Sequence, residues 1–151
     1  MLLIEGRVRG QRINVLVDTG AGSNFANTAL LNALEARPVP VDAAANETLR
    51  AYTAGAAIVL DTAMLIPEVD LGDVGARNVL AYVGDFHIFD VWGLRDEPTL
   101  LVGMQVLTQA QGLSIDYDRG VVHFRFEPGI RTGSRIAGAT NNVSITVSRQ
   151  N

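Results

Sequence analysis

The 151-residue chain contains no cysteine and no lysine, and each absence excludes particular chemistry. Without cysteine there is no disulfide, no thiolate metal site and no cysteine nucleophile. All 12 basic residues are arginine, so the chain has neither a lysine for a Schiff base nor a P-loop lysine. The formal net charge of −4 argues against a nucleic-acid partner.

Long apolar runs are also absent, although apolar residues are frequent. Hydrophobic residues make up 48% of the chain and charged residues 19%, as in a compact globular protein. No run approaches the roughly 18 apolar residues of a transmembrane helix, so we expect no membrane segment. The apolar stretch Leu2-Leu3-Ile4 is too short for a secretory signal, and the compartment stays open. The length indicates one domain with its own core.

Short β-type segments separated by glycine-containing turns dominate the chain. Alternation of apolar and polar residues predicts strands at 2–8 and 13–17, joined by a turn at 9–11. Helical patterns are confined to 28–36, with Asn27 as the expected N-cap, and to 104–111. Further strands are expected at 48–52, 57–66, 76–83, 99–102, 113–117 and 121–126. The pattern predicts an all-β barrel or sandwich with short helices.

An acidic residue ends the most apolar of these strands. The segment 15–17 runs directly into Asp18, which is followed by Thr19, Gly20 and Ala21. A carboxylate at the end of a buried strand is unfavourable unless it is hydrogen-bonded or takes part in chemistry. The hydroxyl of Thr19 and the backbone freedom of Gly20 supply what a structured turn needs. The sequence therefore marks this loop as a candidate site.

The string Asp18-Thr19-Gly20-Ala21 after an apolar strand resembles the active-site loop of retropepsin-type aspartic proteases. A second element is similar to the apolar-apolar-glycine motif that packs beneath that loop in the family. It consists of Leu101, Val102 and Gly103, and a short helical segment follows it. The resemblance implies an all-β fold, a closed retropepsin-like acid-protease barrel, with a domain at 1–127. Residues 128–151 are predicted to form a C-terminal tail with a terminal strand that is a candidate for the dimer interface.

The resemblance also implies an aspartic endopeptidase in which Asp18 is catalytic. The residues that support the active-site loop would be Thr19, Gly20 and Ala21. Such an enzyme uses two carboxylates that share one proton, whereas this chain has one Asp-Thr-Gly and a near-copy, Asp61-Thr62-Ala63, without the glycine. The implied enzyme is a homodimer that pairs Asp18 from both copies and cleaves a peptide or protein substrate. We expect no metal and no other cofactor.

In the same family a glycine-tipped β-hairpin, the flap, closes over the substrate. Residues 48–60 lie between the two motifs, and the predicted flap residues are Tyr52, Thr53, Ala54 and Gly55. This segment has less glycine than retroviral flaps, and Gly22 stands where retroviral sequences have an acidic substrate-binding residue. Both departures favour an alternative, a catalytically silent module that dimerises or binds peptides. A third interpretation is an unrelated β-domain with a chance motif.

Residues 84–98 are less regular and are predicted to form a long surface loop. The loop contains Asp85, His87 and Asp90, which would suit a small metal site, although solvated polar residues are the commoner explanation. Its aromatic residues are interpreted as an apolar plug in preference to part of a substrate rim. These residues are Phe86, Phe89 and Trp92.

Overall fold

The computed structural model describes residues 1–41, 50–53, 56–71, 75–110, 112–116, 121–125, 136–137 and 142–146. Along these residues the elements are β1 Leu2–Val8, β2 Gln11–Val17, β3 Asn24–Ala26, α1 Thr28–Ala33, β4 Val39–Pro40, β5 Arg50–Thr53, β6 Ala56–Val59, β7 Thr62–Asp70, β8 Gly75–Val83, α2 His87–Val91, β9 Thr99–Val102, α3 Met104–Leu107, β10 Gly112–Asp116, β11 Val121–Arg125, β12 Ile136–Ala137 and β13 Asn142–Thr146. None of the helices in this part of the chain is long and apolar enough to cross a membrane.

Six strands close into a barrel in the order β8-β3-β9-β2-β1-β7, and pairing between β7 and β8 completes the ring. Strand β2 is antiparallel to β1 and parallel to β9, whereas β3 is parallel to β8 and antiparallel to β9. Strands β4 and β12 add to β7 and β8. Short helices follow the Asp18 loop and Gly103. The predicted all-β fold with a closed barrel is therefore confirmed.

The β1–β2 hairpin illustrates how local sequence sets the architecture. Its two strands join through Arg9 and Gly10, whose φ angles are 52° and 82°. Two successive positive φ angles in a two-residue turn match the right-handed twist of the paired strands. The predicted hairpin is confirmed, with β2 beginning at Gln11 directly after the turn.

Apolar clusters lie on both faces of the central barrel strands. Val15, Val17 and Leu100 belong to an inner cluster that fills the barrel. Leu16 and Leu101, which alternate with them, belong to an outer cluster. The other buried members of this outer cluster are Leu60, Phe86, Phe89 and Leu94. Residues 15–17 of β2 and 99–102 of β9 are all buried. Because these segments are covered on both faces, they contain short apolar runs.

The prediction of a long surface loop at 84–98 is wrong in part. This segment contains helix α2, and its buried side chains belong to the outer cluster. Phe86 and Phe89 are 5% and 0% exposed, whereas Trp92 is 37% exposed. The ring of Phe86 meets that of Phe25 edge-on, with the centroids 5.0 Å apart. A five-residue helix is too short to show a sequence period. The plug interpretation is confirmed for Phe86 and Phe89 and is wrong for Trp92.

Two predicted strand boundaries also differ from the structure. The segment 57–66 is divided between β6 and β7 at Leu60, whose side chain turns into the outer cluster. Strand β7 continues through Pro67 to Asp70, beyond the predicted strand end at residue 66. Pro67 lies opposite Asn78, whose φ is 53°, and the ladder resumes on the far side of this pair. Proline lacks a backbone donor, so it is tolerated where the ladder skips a bond.

Two strands lie in the region predicted as a C-terminal tail. Strand β12 pairs with β8, and β13 pairs antiparallel with β11, Ile145 opposite Val122. Strands β10, β11 and β13 form a separate three-stranded sheet. The division at residue 127 and a role for the tail in a dimer interface stay predictions.

Candidate active site

Asp18 follows the last residue of β2, and its own loop orients its carboxylate. The Asp18 N–H donates to the Val102 carbonyl at 3.0 Å, which continues the parallel β2–β9 pairing. Oδ1 of Asp18 accepts a hydrogen bond from the Gly20 N–H at 2.9 Å. The Ala21 N–H donates to the Asp18 carbonyl at 3.3 Å. The side chain is half-buried, so one oxygen is fixed while the carboxyl group keeps access to solvent.

The other predicted loop residues surround this carboxylate in different environments. Thr19 and Gly20 are exposed, whereas Ala21 is half-buried and packs against the outer cluster. Gly22 is exposed, and a Cβ atom at this position would meet nothing within 4 Å. Asp18 and Ala21 are therefore partly buried, whereas Thr19, Gly20 and Gly22 are exposed to solvent.

The junction between β9 and α3 lies directly against the loop. The Met104 N–H donates to the Ala21 carbonyl at 2.7 Å, and the Gln105 N–H donates to the Gly22 carbonyl at 3.2 Å. A Cβ atom on Gly103 would lie 2.2 Å from the Ser23 carbonyl oxygen and 2.6 Å from that of Ala21. The φ of Gly103 is −102°, so glycine is needed here for space.

The predicted motif at Leu101, Val102 and Gly103 thus lies against the predicted catalytic loop. Val102 accepts the backbone bond from Asp18, and Gly103 provides the close approach. Leu101 and Val102 point to opposite faces, into the outer and inner clusters respectively. Both apolar residues are needed because the strand that carries the motif is buried on both sides.

Asn24 was not singled out from the sequence, yet its side chain forms hydrogen bonds with β8, with Gly103 and with α3. It is the first residue of β3 and is 1% exposed. Its Oδ1 accepts from the Gly103 N–H at 3.0 Å. Its Nδ2 donates to the Leu80 carbonyl and to Oε1 of Gln105, each at 3.0 Å. The one local signal was an amide side chain directly before Phe25, at a position where the pattern becomes apolar.

Asn27 fixes the segment next to the loop. The side chain is fully buried, and its Oδ1 accepts from the N–H groups of Leu30 at 2.9 Å and Thr99 at 3.1 Å. Its Nδ2 donates to three carbonyls at 2.6 to 3.1 Å, those of Leu94, Arg95 and Glu97. The predicted N-cap of α1 is confirmed. The three bonds to the 94–97 segment were not predicted.

The segment predicted as a flap contains the hairpin β5–β6, with Arg50 opposite Val59 and Thr53 opposite Ala56. Ala51 and Ile58 pack against the outer cluster, to which Ala21 also packs. The predicted flap residues Tyr52 and Thr53 lie in β5, whereas Ala54 and Gly55 lie outside the described residues. The hairpin therefore shares an apolar cluster with the Asp18 loop, and its role as a flap stays a prediction.

The residues that suggested a metal site serve other contacts. Oδ1 of Asp85 accepts from the Thr28 N–H at 3.2 Å. The carboxylate of Asp90 accepts from Nη1 of Arg95 at 2.8 and 2.9 Å, and this bond raises the pKa of Arg95 above its ordinary value. His87 is exposed, with Nδ1 3.8 Å from Asp90. Within the described ranges no three His, Asp or Glu side chains are grouped to hold a metal ion.

Comparison with known proteins identifies the family. A family model described as an aspartyl protease matches residues 4–106, which is more than half of the chain. The chain belongs to this aspartyl protease family. The match begins in β1 and ends in α3, so it includes both the Asp18 loop and the Gly103 junction. The retropepsin-like resemblance based on these two motifs is thereby confirmed.

This member of the aspartyl protease family is similar to the solved structure of a retropepsin-like aspartic protease from Rickettsia conorii. The two chains are 25% identical, and the alignment covers 77% of this chain and 76% of that chain with a TM-score of 0.47. No curated protein matches the chain.

Proposed function

We propose that the protein is an aspartic endopeptidase that acts as a homodimer. The observation that carries the proposal is the Asp18 loop, in which a half-exposed carboxylate is fixed by the Gly20 N–H. Aspartic peptidases need two carboxylates that share a proton, and the chain has one Asp-Thr-Gly sequence. A second copy of the chain supplies the other Asp18 across a two-fold axis.

The mechanism uses the two Asp18 carboxyl groups in different protonation states. The ionised group takes a proton from a water molecule as that water attacks the scissile carbonyl. The protonated group donates a hydrogen bond to the carbonyl oxygen and stabilises the tetrahedral intermediate. The carboxyl group that took the proton from water then gives it to the nitrogen of the leaving amine as the carbon–nitrogen bond breaks, and the pair returns to one ionised and one protonated group. The bond from the Gly20 N–H keeps each carboxylate oriented through these steps.

The environment of Asp61 supports a symmetric pair in preference to a pair within one chain. Asp61 is exposed and accepts a hydrogen bond from Oγ1 of Thr62 at 2.9 Å. Ala63, which stands where the motif has glycine, pairs with Val39 and Tyr82 inside the sheet. This near-copy begins a regular strand and forms no glycine loop like that at Asp18.

Asp18→Asn tests the catalytic assignment, with Asp61→Asn as the matched control. We expect Asp18→Asn to reduce cleavage of a fluorogenic peptide library at least about a hundredfold, because a general acid–base group is lost. Asp61→Asn should cleave like the unmodified protein. Sedimentation should show the same dimer for all three proteins. Cleavage by Asp18→Asn at the unmodified rate would contradict the catalytic role of Asp18.

The dimer requirement has its own test. Specific activity should fall on dilution below the dimer dissociation constant, and the fall should coincide with the appearance of monomer in sedimentation. Excess Asp18→Asn protein should inhibit the unmodified protein, because mixed dimers hold one carboxylate and one amide. Constant specific activity in a solution of monomers would overturn the homodimer proposal.

A second candidate function is a catalytically silent module that binds peptides. The observation in its favour is Gly22, an exposed position with open space where no side chain can bind the substrate backbone. The two candidates differ in a simple measurement. Peptides that bind the unmodified dimer and are recovered uncleaved would support the peptide-binding module.

A further inference from the structure

We infer that Asn24 and Gln105 are positioning residues for the Asp18 loop. The inference rests on the proposed function, because it concerns the loop that carries the proposed catalytic carboxylate. Neither side chain belongs to the Asp-Thr-Gly motif or contacts Asp18. They act through the backbone between residues 18 and 24, whose placement determines where the carboxylate lies.

The amide of Asn24 is fully engaged. Its oxygen accepts from the Gly103 N–H, and its nitrogen donates to the Leu80 carbonyl and to Oε1 of Gln105, all at 3.0 Å. The residue is 1% exposed. A buried amide is unfavourable unless its hydrogen bonds are satisfied, so these bonds define one orientation of the side chain.

Gln105 contacts the loop region twice. Its backbone N–H donates to the Gly22 carbonyl at 3.2 Å, while its side-chain oxygen accepts from Asn24. These two contacts lie on either side of Ser23. Gln105 therefore holds the end of the loop through one backbone bond and one side-chain bond.

Both ends of the loop are held by one short stretch of chain, residues 102–105. The first end is fixed where the Asp18 N–H meets the Val102 carbonyl, and the second where Asn24 meets Gly103. Gly20, whose N–H orients the Asp18 carboxylate, lies between these two points. A shift at the Asn24 end therefore displaces Gly20 and changes the orientation of the carboxylate.

The side-chain contact between Asn24 and Gln105 consists of two neutral amides. A carboxylate–arginine pair in the same place would weaken when the acid became protonated, whereas two amides do not titrate. The protonation state of neither Asn24 nor Gln105 therefore changes with pH. Gln105→Leu accordingly removes the Asn24–Gln105 contact without adding a titratable group.

Two variants of Gln105 test the positioning role. Gln105→Leu removes the acceptor for Asn24, whereas Gln105→Glu keeps an acceptor oxygen in that place. The matched control is Gln109→Leu, because Nε2 of Gln109 donates to the Gln105 carbonyl and not to the loop. Thermal unfolding and sedimentation first establish that each variant is folded and dimeric.

Amide hydrogen exchange measures the effect without any need for activity. In Gln105→Leu we expect faster exchange at Gly20, Gly103 and Met104, since these N–H groups belong to the loop and its support. Exchange in the β1–β2 hairpin should not change. Gln105→Glu and Gln109→Leu should resemble the unmodified protein. Unchanged exchange at Gly20 and Gly103 in Gln105→Leu would overturn the inference even if the protein cleaves peptides as proposed.

Peptidase kinetics supply the second measurement. Gln105→Leu should lower kcat about three- to tenfold with KM nearly unchanged, because it disturbs the carboxylate and leaves the binding surfaces in place. Gln105→Glu should recover most of kcat. A kcat that stays at the unmodified value while only the melting temperature falls would show a purely structural role. Absence of cleavage by the unmodified protein would refute the proposed function and leave the exchange experiment decisive for this inference.

Discussion

The close approach at Gly103 leads to a prediction that can be worked from distances. Gly103→Ala would place a Cβ atom 2.2 Å from the Ser23 carbonyl oxygen and 2.6 Å from the Ala21 carbonyl oxygen. Real Cβ contacts essentially never fall below 3.0 Å, so the chain must open by about 0.8 Å at Ser23. Both oxygens belong to the backbone, and no side-chain rotation can relieve the overlap.

The size of the effect follows from what must move. Overpacking in a dense interior costs about 1 to 3 kcal/mol, and a clash with two carbonyl groups belongs at the upper end. The displacement also stretches the bond from the Met104 N–H to the Ala21 carbonyl. We therefore expect a loss of about 3 kcal/mol, which lowers the melting temperature by about 6 to 12 °C for a domain of this size.

A substitution in the same loop provides the control. Gly22→Ala adds the same methyl group where nothing lies within 4 Å of the new atom. It should leave stability unchanged or raise it by up to about 1 kcal/mol, because alanine restricts the unfolded chain. Urea unfolding followed by circular dichroism, at one protein concentration, measures both variants. Equal stability of Gly103→Ala and Gly22→Ala would refute the steric account of the junction.

Other predictions concern the buried residues around the site. Asn27→Ala should lose about 3 kcal/mol in urea unfolding, because a fully buried side chain loses its five hydrogen bonds. Phe89→Ala should lose about 3 to 5 kcal/mol and Trp92→Ala less than about 1 kcal/mol, since Phe89 is 0% and Trp92 is 37% exposed. Similar losses for the two aromatic variants would contradict the assignment of Phe89 to the outer cluster.

The parts of the fold that could be predicted from the sequence are those with local signals. The β1–β2 hairpin follows from alternation and from Arg9-Gly10, and α1 follows from its apolar spacing and Asn27. The Asp18 loop was recognisable because its residues are contiguous. Strand β3 and helix α2, with three and five residues, are too short to show a period. They exist because tertiary contacts bury Ala26 and Phe89.

The support of the loop was predictable only in part. Leu101, Val102 and Gly103 form a readable motif, whereas Asn24 does not. Its partners Leu80, Gly103 and Gln105 lie 56 to 81 residues further along the chain, so no local pattern connects them. An isolated asparagine near glycine is typical of a turn, and only the three-dimensional structure shows that it is buried.

The parallel pairing of β2 with β9 has a consequence for how the protein is made. The register places Val17 beside Val102, and the Asp18 N–H meets the Val102 carbonyl. A nascent chain that ends before residue 102 lacks the Val102 carbonyl that accepts the hydrogen bond from the Asp18 N–H. Contacts between distant segments also form slowly, because a long stretch of chain must close first. The Asp18 loop can therefore assemble only after β9 has been synthesised.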